Sequence, residues 1–192
     1  MRKITFDIET SNTFDEVGSS SASDLDISVV CIHDSETDQY QSFFVDELHK
    51  LWPIIESADM LIGFNSDHFD IPLLNKYYAG DLTKMKSLDI LKEVHGSLGR
   101  RIKLDNIAQA TLGKAKSGNG LEAIVWWRNG EKQKVIDYCI QDVKVTKEIY
   151  DYALENGHLK YPNGQKIDEI KLDTSNWESK EEGSGLAPTL GF

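Results

Sequence analysis

Met1-Arg2-Lys3-Ile4-Thr5-Phe6-Asp7-Ile8-Glu9-Thr10 is the stretch on which the reading of this chain turns. Ile4, Phe6 and Ile8 alternate with Thr5, Asp7 and Glu9, the period-2 pattern of a strand. Residues two apart on a strand face the same way, so Asp7 and Glu9 are expected to project side by side. An apolar run so near the start reads as a core strand. Two carboxylates there repel each other and lose hydration unless a cation neutralises them. All-oxygen ligands suit a hard divalent ion such as Mg²⁺ or Mn²⁺. Taken alone, Asp-x-Glu reads as an edge strand with a solvated acidic face, so the pair needs partners elsewhere.

Outward from this strand, residues 11–26 are polar and serine-rich and read as a long loop. Residues 27–33 form a β-branched strand, 34–38 a turn and 40–45 a third strand, most simply an antiparallel meander. Leu48, Leu51, Trp52 and Ile55 show helical spacing, with Pro53 as the oddity. Residues 60–64 are a short apolar run fit for a buried parallel strand. Asp70 stands near the N-cap of the next helix, with Pro72 in its first turn. Residues 85–88 offer a fifth short strand. Helical segments follow at 89–96, 104–111, 120–129 and 131–153. Asn163-Gly164 between two short runs marks a β-hairpin. The expected fold class is α/β, a mixed five-stranded sheet flanked by helices with a small C-terminal hairpin. Its divisions are a domain over 1–155, the hairpin packed on it over 156–174, and a flexible tail over 175–192.

Composition narrows the function classes. Acids number 32 against 21 bases, a net charge of −11. Long nucleic acid is bound through clustered Lys and Arg, so this balance argues against a coating or architectural binder. It still admits an enzyme that holds a few nucleotides through metal ions and a local basic patch. No apolar run approaches the ~20 residues that span a bilayer, and no signal-peptide layout precedes the first strand. Cys31 and Cys139 belong to no Cys-x-x-Cys pair, which fits a reducing, cytoplasmic compartment.

Two further acidic sites have suitable surroundings. In Leu61-Ile-Gly-Phe-Asn65-Ser-Asp67-His68-Phe69-Asp70 a buried strand runs out into a polar loop and a helix start, where α/β sheets gather their sites. Asp70 there is otherwise an ordinary helix cap. In Tyr138-Cys-Ile-Gln-Asp142 the i, i+4 spacing puts Tyr138 and Asp142 on one helix face, a surface pair when read in isolation.

Together these residues resemble the DEDD superfamily of 3′→5′ exonucleases, on a ribonuclease-H-like fold. Its first motif, Asp-x-Glu in an opening strand, is matched by Asp7-Ile8-Glu9. Its second, Asn-x-x-x-Phe-Asp, is matched by Asn65 through Phe69-Asp70. Its third, Tyr-x-x-x-Asp in the tyrosine subclass, is matched by Tyr138 and Asp142. The histidine subclass would need His where this chain has Asp137. The resemblance covers roughly residues 1–150, and the segment from Gly118 to Thr146 further resembles stand-alone bacterial and archaeal members.

The resemblance implies that Asp7, Glu9, Asp70 and Asp142 hold two divalent cations, Mg²⁺ or Mn²⁺, about 3.5–4 Å apart. Tyr138 would orient the attacking water or accept its proton by way of it. Thr10, Asn65 and Phe69 would contact the strand. The implied activity is release of nucleoside 5′-monophosphates from the 3′ end of single-stranded DNA. The alternatives are trimming of RNA ends and a non-catalytic nucleic-acid-binding module.

Other features stay open between function and scaffold. Lys84, Lys86, Arg100, Arg101, Lys103, Lys114 and Lys116 concentrate positive charge and form either a strand-guiding patch or solvated loops. The glycines of 113–120 make no P-loop and serve as a connector or a phosphate contact. Trp126 and Trp127 cannot share a helix face, so one belongs to the core and the other is free to stack on a base. His68 is a loop residue or a ligand. The apolar tip Leu186, Leu190 and Phe192 is either inert or docks on a replication partner such as a sliding clamp.

Overall fold

The structure, a computed structural model, describes residues 1–114 and 120–179. β1 (Lys3–Thr10) lies at the centre of a five-stranded sheet. After it come α1 (Phe14–Val17), β2 (Ile27–Asp34), β3 (Gln39–Phe44), α2 (Leu48–Glu56), β4 (Met60–Gly63) and α3 (Asp70–Asn75). The chain continues through β5 (Ser87–Asp89), α4 (Ile90–Leu98), α5 (Leu104–Leu112), α6 (Gly120–Arg128) and α7 (Lys132–Asn156). A separate hairpin, β6 (His158–Asn163) and β7 (Lys166–Lys171), closes the fold.

The sheet order is β3-β2-β1-β4-β5. β1–β2 and β2–β3 are antiparallel, the second pair joined by a short turn; β1–β4 and β4–β5 are parallel, because helices provide the crossovers. The expected mixed α/β sheet and C-terminal hairpin are both present. The fifth strand sits at Ser87–Asp89 rather than 85–88, because Met85 closes a 3₁₀ turn over Leu82–Lys84. α7 runs three residues beyond its expected end and stops where Gly157 takes φ 68°, its N–H returning to the Ala153 carbonyl.

Alternation along the strands sorts the two faces. Ile4, Phe6, Ile8, Val30, Ile32 and Leu61 pack on one face with α2 and α3. Val29 and Cys31 pack on the other with Val135, Cys139 and Val143 of α7. Met60 and Ile62 also face that way, against Ile149, Tyr150 and Ala153. Burying each aliphatic side chain contributes roughly 1.5–3 kcal/mol. A one-residue slip of β1 would exchange its apolar set for Asp7 and Glu9, so the register is strongly specified. The same period turns both carboxylates toward α7.

Leu159, Tyr161 and Ile170 of the hairpin join the α7 cluster. Residues 175–179, expected to be loose, are held instead. Trp177 is buried and stacks on Tyr150 with ring centroids 5.8 Å apart. Glu178 accepts from the Tyr150 hydroxyl at 2.9 Å and pairs with Lys3. An indole removes a large apolar area from water wherever a core can take it. Residues 180–192, with the apolar tip Leu186, Leu190 and Phe192, lie outside the described residues.

Candidate active site

β1 and α7 form the floor and one wall of the site. Carboxylate oxygens of Asp7, Glu9 and Asp142 all lie within 4.8 Å of one another. Glu9 is buried, while Asp7 and Asp142 keep part of their surface open to a cavity. Tyr138, one turn before Asp142, hydrogen-bonds with it, and the edge of its ring contacts Trp126 with centroids 6.1 Å apart. Beneath Asp7 the thiol of Cys139 points at the Asp7 carbonyl oxygen (3.4 Å) and Oδ2 (3.7 Å). Cys31, paired opposite Asp7 on β2, neighbours that thiol; both cysteines are buried and free.

Asp70 arrives from the other side of the sheet. β4 pairs with β1 only as far as Thr5, so the second half of β1 has an open edge there. The Asp70 carboxylate fills part of it by accepting the Ile8 N–H. Asp70 lines the same cavity as the other three carboxylates but is outside their 4.8 Å group. It is the first residue of α3; Phe69 occupies the cap position.

The loop that carries Asp70 depends on two residues the sequence reading passed over. At Gly63 any Cβ would sit 2.4 Å from Ser66 Cβ, so only glycine permits this turn. Asp89 is the hub. Its Oδ1 accepts the backbone N–H groups of Asn65 (2.7 Å), Leu91 (2.9 Å) and Lys92 (3.4 Å), and its Oδ2 accepts that of Asp67 (3.2 Å). One buried carboxylate thus caps α4 and fixes Asn65 at φ 69°. An Asp ahead of a helix was a legible cap signal; its reach back to residues 65–67 was not. Asp89→Ala is expected to cost about 2–4 kcal/mol, from a lost cap and stranded N–H groups. Urea unfolding measures it, and a loss no larger than an ordinary surface substitution would show that the hub is dispensable.

The electrostatics are those of crowded like charges. Burial, then Asp142, Asp70 and Glu9, push the Asp7 carboxyl well above the usual range. Burial, Asp142 and Asp70 do the same to Glu9. Asp70 is raised to about 7, chiefly by burial. Burial and the charges of Asp142, Glu9 and Asp7 push the Tyr138 hydroxyl far above its ordinary value of 10. A hard dication would relieve this repulsion, and an all-carboxylate donor set is what such an ion takes. The residues present therefore fit a divalent metal centre.

A cavity of about 530 Å³ opens over the carboxylates. Phe14, Phe69, Leu121 and Ile124 supply apolar walls, and the Phe14 and Phe69 rings meet edge to face at 6.2 Å. α6 starts against the site: a Cβ at Gly120 would be 4.0 Å from Glu9 Oε2. Arg128 ties the far end of α6 to Glu16 at 2.7 Å. Thr10 and Asn65 also line the cavity, with the Thr10 hydroxyl donating to the Asn12 carbonyl at 3.0 Å. Neither tryptophan lines it; Trp127 packs on Phe44 with centroids 5.8 Å apart. His68 is exposed and outside the carboxylate group. Residues 115–119 of the glycine-rich stretch lie outside the described residues.

The model of the RNase_H superfamily matches residues 4–154, a span that includes all four carboxylates and Tyr138. No curated protein matches the chain significantly. Among solved structures, the chain is similar to the family B DNA polymerase from the hyperthermophilic archaeon Pyrobaculum calidifontis, with TM-score 0.62 and 17% identity. The match covers 80% of this chain and 24% of the polymerase chain, so the likeness is one of fold and spans about a quarter of that protein. No helix among the described residues is long and apolar enough to cross a membrane.

Proposed function

The chain belongs to the RNase_H superfamily, and from that premise we propose that it is a metal-dependent 3′→5′ exonuclease of the DEDD tyrosine subclass. It releases nucleoside 5′-monophosphates from single-stranded DNA. The observation that carries this reading is the convergence of Asp7, Glu9 and Asp142 within 4.8 Å, with Tyr138 bonded to Asp142. A structural cation site needs no such tyrosine and no cavity beside it.

Asp7, Glu9, Asp70 and Asp142 would hold two divalent cations, Mg²⁺ or Mn²⁺. Bound cations of this kind lower the pKa of a coordinated water and neutralise charge building on a phosphate and its leaving oxygen. The rest falls to the chain's own residues. Phe14, Phe69 and Leu121 take the terminal base against apolar surface, and Asn65 and Thr10 border the sugar and phosphate. The Tyr138 hydroxyl donates to Asp142 and keeps its oxygen lone pairs to accept a hydrogen bond from the attacking water, which orients it. A phenol that ordinarily titrates near 10 is a poor base at neutral pH. Tyr138→Phe is expected to lower kcat by about 10–100-fold while the Mn²⁺ affinity measured by calorimetry stays the same. An unchanged kcat would mean that the water is placed by another group.

The decisive assay follows 5′-labelled and 3′-labelled strands of DNA and RNA with Mg²⁺, Mn²⁺ or EDTA. A 5′-labelled DNA ladder that shortens stepwise from the 3′ end, and stops in EDTA, is the expected result. Preference for the RNA strand would move the substrate to RNA ends, and cuts within a circular strand would make the enzyme an endonuclease.

A further inference from the structure

A second cavity, about 520 Å³, adjoins the first. Both are lined by Phe64, Asn65 and Asp142, so they meet at Asp142. Their chemistry differs. Among the described residues, the first is lined by no Lys or Arg, whereas the second is lined by Arg101 and Lys103 together with Asp105, Tyr138 and Asp142. A 3′-terminal nucleoside carries no charge beyond the scissile phosphate, but each nucleotide upstream brings another phosphodiester. The aromatic cavity therefore suits the terminus, and the one that offers Arg101 and Lys103 suits the strand behind it. This assignment rests on the 3′→5′ exonuclease reading.

The structure also separates these two cations from the rest of the basic cluster. Lys84 pairs with Asp81, Lys86 binds the Ser179 carbonyl, and Lys114 reaches Glu148. Arg100 lies over the Tyr161 ring at 5.2 Å. Lys116 lies outside the described residues. Arg101, by contrast, is exposed and donates from Nη2 to Asn65 Oδ1 at 2.5 Å. That contact uses one of the five guanidinium donors and leaves the others for a phosphate, which guanidinium binds in a two-pronged fork.

We propose that Arg101, with Lys103 beside it, is a positioning residue that grips the phosphodiester one nucleotide upstream of the scissile bond. Asn65, held at φ 69° by Asp89, parks the guanidinium at the junction of the two cavities until the strand arrives.

The test uses fluorescein-labelled tetradeoxythymidylate with Ca²⁺, read by fluorescence anisotropy. An uncharged methylphosphonate replaces the second linkage from the 3′ end, or the third as a control. Wild-type protein should bind the second-linkage strand about tenfold more weakly than the ordinary one, the scale of a charge-assisted contact. Arg101→Ala should bind both equally, at the weaker level, and Arg101→Lys should fall between. The third-linkage strand should behave like the ordinary one in every protein. Wild-type affinity in Arg101→Ala, or the same methylphosphonate penalty in both proteins, overturns the proposal. So does failure of the wild type to bind. Binding with the expected coupling, on a strand that Mg²⁺ never shortens, would count against the exonuclease reading instead.

Discussion

Asp142→Asn is expected to lower the rate of 3′-end hydrolysis by about 10³-fold or more while the fold survives. Asp142 is one of three carboxylates gathered within 4.8 Å and also bonds with Tyr138. On the proposed mechanism, removing its charge would take away a metal ligand and alter the partner of the hydroxyl that would orient the water. Asparagine keeps the shape, so no cavity opens in the α7 packing. The change also removes a charge that raises the pKa values of Asp7, Glu9 and Tyr138. The metal-free variant should therefore melt no lower than the wild type near neutral pH. Single-turnover hydrolysis and circular-dichroism melting read the two effects. Activity within tenfold of wild type would sink the assignment of Asp142, and a collapsed fold would show its role to be structural.

Divalent ions are expected to raise the melting temperature far more at pH 8 than at pH 4. Asp70 titrates at about 7 in the folded chain against 3.8 ordinarily, and Asp7 and Glu9 are shifted the same way. Between those values the folded chain binds more protons than the unfolded one, so metal-free stability falls as pH rises from about 4 to about 7. For Asp70 alone the difference corresponds to on the order of 4 kcal/mol. Below pH 4 the carboxyls are protonated in both states and a cation has little to neutralise. Above 7 Asp70 is ionised among crowded carboxyls, and Mn²⁺ bound only to the folded state restores stability by mass action. Melting curves across this range, with Mn²⁺ or EDTA, check the claim. An Mn²⁺ shift independent of pH would place the ion elsewhere.

The expectation that Asp7 and Glu9 share a face followed from alternation alone, since a strand has only two faces and Ile4, Phe6 and Ile8 claim one. Tyr138 and Asp142 were legible for a similar reason: four residues on a helix make one turn. Asn163-Gly164 announced its hairpin through turn chemistry. Each of these signals is local. Cys31 and Cys139, 108 positions apart, gave no sign that they would meet beneath Asp7. The tail was misjudged at Trp177 because its acceptor, Tyr150, belongs to a helix met earlier in the chain.

From the sequence alone came the mixed α/β sheet, the hairpin and the acidic residues that gather at the cavity. Period and spacing determine which side chains point together within one element, and no further knowledge of the fold is needed. Tertiary structure decided what lies opposite them. It brought Asp142 to the carboxylates of β1, used the open edge of β1 to seat Asp70, and made Asp89 a brace for the Asn65 loop. It also singled out Arg101 and Lys103 from a cluster of similar charges. These placements follow from how helices cross a sheet, which burial across the whole chain settles and no local pattern encodes.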